Sequence, residues 1–127
     1  MTRPTRLSRR ERQILDIIYE LGTATVAEVM DRMPDSPSNP AVRSVLRGLE
    51  AKGRVRHRRD GPRFLYSPTV PRGRARQTAI RHLLRTFFDG STERAVAAML
   101  ELEASRLSPE EIERMSRLIE EMRKEGR

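Results

Sequence analysis

The 127-residue sequence contains no cysteine and no tryptophan, and only three phenylalanines, two tyrosines and two histidines. Without cysteine there is no disulfide framework, thiolate metal site, cysteine nucleophile or thiol redox switch. His57 and His82 are the only imidazoles. They fall in separate predicted elements, so a histidine-rich metal centre is not expected. With aromatics at 4%, few exposed platforms remain on which single-stranded bases could stack. No apolar run approaches the roughly 20 residues of a membrane-spanning helix, and the residues after Met1 lead into no apolar signal core. The sequence therefore reads as a soluble, cytoplasmic protein without membrane insertion. Neither nucleophile-elbow nor phosphate-loop spacing occurs. An enzyme is not expected, and no catalytic residue, metal ligand or cofactor is assigned.

What the sequence has in excess is positive charge: 26 Lys+Arg against 18 Asp+Glu, a formal net charge of +8. The excess is uneven. Residues 1–73 hold 15 basic and 8 acidic side chains, net +7, whereas 74–127 are nearly balanced at 11 and 10. Between 43 and 63, Arg43, Arg47, Lys52, Arg54, Arg56, Arg58, Arg59 and Arg63 face only Glu50 and Asp60, net +6 in 21 residues. Such a cluster is the electrostatic footprint of a polyanion binder. The plainer reading is a solvated face, since basic stretches are common.

Local signals supply the elements. Ser8 and Glu11 have capping-box spacing. Ile14, Leu15, Ile17, Ile18 and Leu21 follow at helical period, and Gly22 marks a stop. Thr25 and Glu28 repeat the box ahead of Val29, Met30 and Met33, and Pro34 closes that helix. Asn39-Pro40 reads as an N-cap followed by proline at the first helical position. Val42, Val45, Leu46 and Leu49 then line one face, with Gly53 at the C-terminus. Two extended runs, 54–58 and 63–67, flank Arg59-Asp60-Gly61-Pro62, a hairpin signal. Phe64 and Tyr66 share the face expected to lie in the core beneath it. Three helices followed by a hairpin, with a basic third helix, make a winged helix-turn-helix. The predicted fold is mainly α with a small β-hairpin wing: a winged helix-turn-helix domain over 1–73 and a three-helix dimerisation tail over 74–127.

The tail carries an apolar stripe of Ala79, Ile80, Leu83, Leu84, Phe87 and Phe88 that stops at Asp89-Gly90. A second helix bears Val96, Met99, Leu100 and Leu102 behind Ser91 or Thr92 as cap. A third begins at the Ser108–Glu111 box, where Ile112, Met115, Ile119 and Met122 step by 3, 4 and 3 as a short seam. A unit of roughly 60 residues buries only about 60% of its surface, so covering both stripes within one subunit is awkward. A two-fold partner resolves this. The expected dimer interface is Leu83, Leu84, Phe87, Phe88, Ile112, Met115, Ile119 and Met122. Packing against the winged-helix unit of the same chain is the plainer alternative.

In helix-turn-helix proteins the second helix of the motif, here about 40–52, enters the major groove of double-stranded DNA. Arg43 and Arg47 are four apart and point the same way, with Ser44 beside Arg43. Arginine reads guanine through O6 and N7. Asn39, Ala41, Arg43, Ser44 and Arg47 are the candidate contacts from the helix, and Arg58, Arg59 and Arg63 those from the wing. Phosphate contact or simple solvation is the plainer reading of each arginine.

The residues from Leu7 to about Arg123 resemble the BlaI/MecI penicillinase-repressor family. The likeness is carried by Leu7–Glu11, by Val42–Gly53, by Gly61–Pro68, by Phe87–Ser91 and by Leu107–Ile112. The resemblance implies a dimeric transcriptional repressor on a palindromic operator, inactivated by proteolysis of its tail that a membrane-bound sensor metalloprotease initiates. Three features, at four positions, depart from the family pattern. Ala41 and Ser44 stand where the recognition helix commonly has threonines, Gly48 stands where an arginine is usual, and Pro62 separates Gly61 from Arg63. Met99–Leu102 aligns with the cleavage region but lacks its usual Asn-Phe pair. The sequence by itself also admits a repressor whose dimer a small ligand opens, or a winged-helix protein-interaction module without specific DNA binding.

Overall fold

The computed structural model describes residues 6–126. Among them run helices α1 (Arg9–Leu21), α2 (Val26–Arg32) and α3 (Asn39–Ala51), strands β1 (Val55–Asp60) and β2 (Arg63–Pro68), and helices α4 (Arg72–Phe88), α5 (Thr92–Glu103) and α6 (Pro109–Lys124). This is the expected mainly helical architecture with one antiparallel hairpin. The chain divides into two compact units, Met1–Gln77 and Thr78–Arg127, and the division falls inside α4.

The first unit is built around one core. Ile14, Leu15 and Ile18 of α1, Val29 of α2, Val42, Leu46 and Leu49 of α3 and Val55 of β1 are its largest fully buried side chains. Each such burial is worth about 1.5–3 kcal/mol. Capping boxes set the entries of α1 and α2. Ser8 Oγ accepts from Glu11 N, and Glu11 Oε1 accepts from Ser8 N at 2.8 Å. Thr25 and Glu28 make the same reciprocal pair. Gly22, at φ +86°, ends α1 in a conformation that glycine adopts without strain.

Glu11 also ties α1 to the C-terminal end of α3. Its Oε1 accepts from Lys52 Nζ at 2.7 Å, at the C-terminus of α3. Gly48 lies on the same helix, and a Cβ there would sit 2.9 Å from Glu11 Oε2. The glycine at this position thus lets α3 approach the buried carboxylate, which any larger residue would displace. The Lys52 and Ser8 donors hold the Glu11 carboxyl below the usual glutamate range. A depressed carboxylate pKa adds stability that is complete above the ordinary value of 4.5 and is lost as pH falls through the lower, folded value. Glu11→Gln keeps the shape and removes the charge. It should lower unfolding free energy at pH 7 by about 1 kcal/mol, and the gap should shrink in urea melts below pH 4.

Two expectations change, and one boundary that the sequence left open is set. Ser38, not Asn39, caps α3: its backbone is extended and its Oγ accepts from Ala41 N. Asn39 and Pro40 are therefore the first two helical residues. The boundary left open is the start of the tail's first helix: α4 begins at Arg72, seven residues before the apolar stripe. Proline is tolerated ahead of a helix, and Pro71 O already accepts from Ala75 N. The Arg72 guanidinium meanwhile donates to the Tyr19 and Glu20 carbonyls at the α1 C-terminus, where a cation is favoured. Finally, Phe64 is half-buried while Tyr66 is buried at 6% exposure. Tyr66 lies deeper because its backbone pairs with Ala24 in both directions, at 2.8 and 2.9 Å. That bridge fixes the hairpin to the segment between α1 and α2.

The second unit is different in kind. Ala95 is its only buried residue among those described, and α4 and α6 bury none. Phe87 is 71% exposed, Ile119 61% and Met122 55%; Leu83 and Ile112 are exposed as well, while Leu84, Phe88 and Met115 are half-buried. No described helix is long and apolar enough to cross a membrane.

Candidate nucleic-acid interface

The apolar face of α3 is consumed by the core, so its opposite face is fixed outward. Asn39, Ala41, Arg43, Ser44 and Arg47 are all exposed there. Asn39 Oδ1 accepts from Arg43 Nε at 2.5 Å, an i,i+4 pair. Arg47, one turn farther on, has no hydrogen-bond or ion-pair partner among the described residues.

The hairpin register pairs Asp60 with Arg63, leaving a two-residue turn of Gly61 and Pro62. Gly61 has φ +65°, and glycine is the favoured first residue of such a turn. Alternation along β1 puts Val55, His57 and Arg59 on the face shared with Phe64 and Tyr66, and Arg56 and Arg58 on the other. Tyr66 uses its backbone groups on Ala24, so the His57–Tyr66 pair is of the closer, non-hydrogen-bonded kind. The His57 ring accordingly packs, tilted, with its centroid 4.6 Å from that of Phe64 and 5.6 Å from that of Tyr66, and its Nδ1 lies 2.7 Å from Glu50 Oε2. That contact joins the wing to the far end of α3.

Two arginines of the wing are held in turn. The Arg59 guanidinium lies 5.3 Å from the Phe64 ring centroid, within cation–π range. Arg63 Nη2 is 3.2 Å from Asp60 Oδ2. Arg43, Arg59 and Arg63 all line one open cleft of about 350 Å³, together with Asn39, Phe64 and the start of α2 at Thr25 to Ala27. The structure therefore brings four of the eight candidates together: Asn39, Arg43, Arg59 and Arg63. Arg47, Ser44 and Ala41 flank them on α3, and Arg58 faces away across the ribbon. Sequence reasoning did not single out the Glu50–His57 contact or the support of Arg59 by Phe64. The spacing of Asn39 and Arg43 was a readable signal for their pairing. Among the described residues no group of three or more His, Asp or Glu could hold a metal ion.

Residues 7–121 match the penicillinase repressor family. The chain belongs to that family. Its members are transcriptional repressors, not enzymes, and this repressor shares their winged-helix DNA-binding class. The penicillinase repressor of Bacillus licheniformis is 24% identical over 123 residues, which cover 95% of this chain and 94% of that protein. Lactococcus lactis ZitR has the same fold: TM-score 0.53, 21% identity, with 97% of this chain and 77% of that one covered. The solution structure of the DNA-binding domain of the repressor BlaI covers 56% of the present repressor and 89% of that domain, at 22% identity and TM-score 0.49.

Proposed function

We propose that this repressor acts as a homodimer on a palindromic double-stranded operator, through a DNA-binding domain over 1–73 and a dimerisation domain over 74–127. The observation that carries the reading is the gathering of Arg43, Arg59 and Arg63 around one cleft beside the exposed face of α3. Here α3 lies in the major groove with Arg43 at a base edge, while Arg58, Arg59 and Arg63 meet the backbone or minor groove of the flanking turn. The tail supports the dimer: a unit with Ala95 as its only buried residue among those described has no core of its own, and a second copy of its apolar stripes supplies one. Leu83, Leu84, Phe87, Phe88, Ile112, Met115, Ile119 and Met122 form that interface.

Derepression then follows from loss of the dimer. Resemblance to the family supports tail proteolysis initiated by a membrane sensor metalloprotease. The aligned segment at Met99 to Leu102 lies within α5, where Met99, Leu100 and Leu102 are all exposed.

Selection of binding sites from genomic fragments, followed by titration of the best site at several salt concentrations, tests the proposal. A dyad with half-sites about 34 Å apart and a steep salt slope is the expected result. Salt-sensitive binding without a motif, or no binding at low salt, would overturn it.

A further inference from the structure

We propose that Asn39 is a positioning residue that presets Arg43 for a base edge, and that the unrestrained Arg47 is left to the phosphate backbone. This inference rests on the reading of α3 as the recognition helix. Asn39 has no capping duty, because Ser38 performs it. Its carboxamide oxygen instead accepts from Arg43 Nε at 2.5 Å. A guanidinium has five N–H donors in a rigid fork. Engaging Nε leaves both terminal nitrogens, and these form the end-on pair that matches N7 and O6 of guanine.

Preorganisation is what separates the two arginines. Immobilising a long side chain on binding subtracts from every contact it makes. The Asn39 pairing restricts Arg43 before DNA arrives, in the same cleft where Phe64 holds Arg59 and Asp60 holds Arg63. Arg47 has no such partner among the described residues. A two-point contact to a base edge demands fixed geometry. A phosphate contact is largely electrostatic and tolerates a mobile side chain.

The test uses the full chain, its selected operator and operator variants carrying single base-pair changes, titrated at several salt concentrations. Asn39→Ala should lose about threefold to tenfold of discrimination per half-site at one guanine position, with salt slope and thermal unfolding unchanged. Asn39→Asp retains an acceptor for Nε. It should keep the preference at that base pair while weakening all duplexes through its added charge. Arg47→Ala should weaken all sequences alike and reduce the salt slope by about 1 per subunit. Full operator discrimination in Asn39→Ala would overturn the proposal, as would loss of preference at a single base pair in Arg47→Ala. A parent protein without any sequence preference would overturn the recognition-helix reading itself, and that outcome is seen before any substitution is made.

Discussion

Aspartate at Phe87 or at Ile119 should yield monomers whose affinity for the operator is about 10²–10⁴-fold below that of the parent, because the second half-site no longer benefits from effective concentration. These positions are chosen for their exposure. Phe87 is 71% and Ile119 61% exposed in the single chain, so a charge there meets water and leaves the subunit's own packing intact. Within a dimer, the same carboxylate would be buried without a partner, at a cost of several kcal/mol per ion. Sedimentation at micromolar concentration reads the assembly, and operator titration reads the consequence. A variant that remains dimeric removes its position from the interface. A monomer that binds as tightly as the parent would remove dimerisation from the mechanism.

Arg43→Ala should weaken operator binding by about 30-fold to 10⁴-fold. One bidentate arginine–guanine contact discriminates by about 1–3 kcal/mol, and a two-fold dimer loses it twice, with each 1.4 kcal/mol a factor of ten. The measurement pairs the selected operator with a scrambled duplex of equal length. On the scrambled duplex only the missing charge is felt, so the loss should be several-fold at moderate salt. Equal losses on both duplexes would make Arg43 a phosphate contact. Stability is not expected to change, since Arg43 is exposed and touches only Asn39 through a hydrogen bond.

The parts of this protein that were legible in its sequence are those decided within about four residues. The boxes at Ser8, Thr25 and Ser108 form as their spacing predicts. Val42, Leu46 and Leu49 are buried as their helical period requires. The hairpin forms where Arg59-Asp60-Gly61-Pro62 signals it, but Arg59 stays in the ladder and the tight turn falls one residue later, at Asp60-Gly61-Pro62-Arg63. Ser38 and Asn39 are both good caps, and adjacency alone does not choose between them. Arg43 settles the matter by engaging Asn39. The start of α4 depends on the α1 carbonyls that receive Arg72, a partner some fifty residues away. Gly48 reads as a missing arginine until the Glu11 carboxylate is found against it. Likewise, the charge count located the basic segment, but only the β1–β2 register separates Arg59, inside the cleft, from Arg58, across the ribbon.

On the proposed dimer, a tail in which Ala95 is the only buried residue among those described would make folding of the second unit a matter of mass action. Where a partner copy supplies the core, each tenfold rise in protein concentration adds about 1.4 kcal/mol to the stability of the pair. The melting temperature of the tail should climb with concentration while that of the first unit, with its own core, stays fixed. Newly made subunits at low abundance would then be the ones whose tails open and meet proteases. On the proposed dimer, the same weak core would also set a threshold in cellular abundance below which the operator stays free.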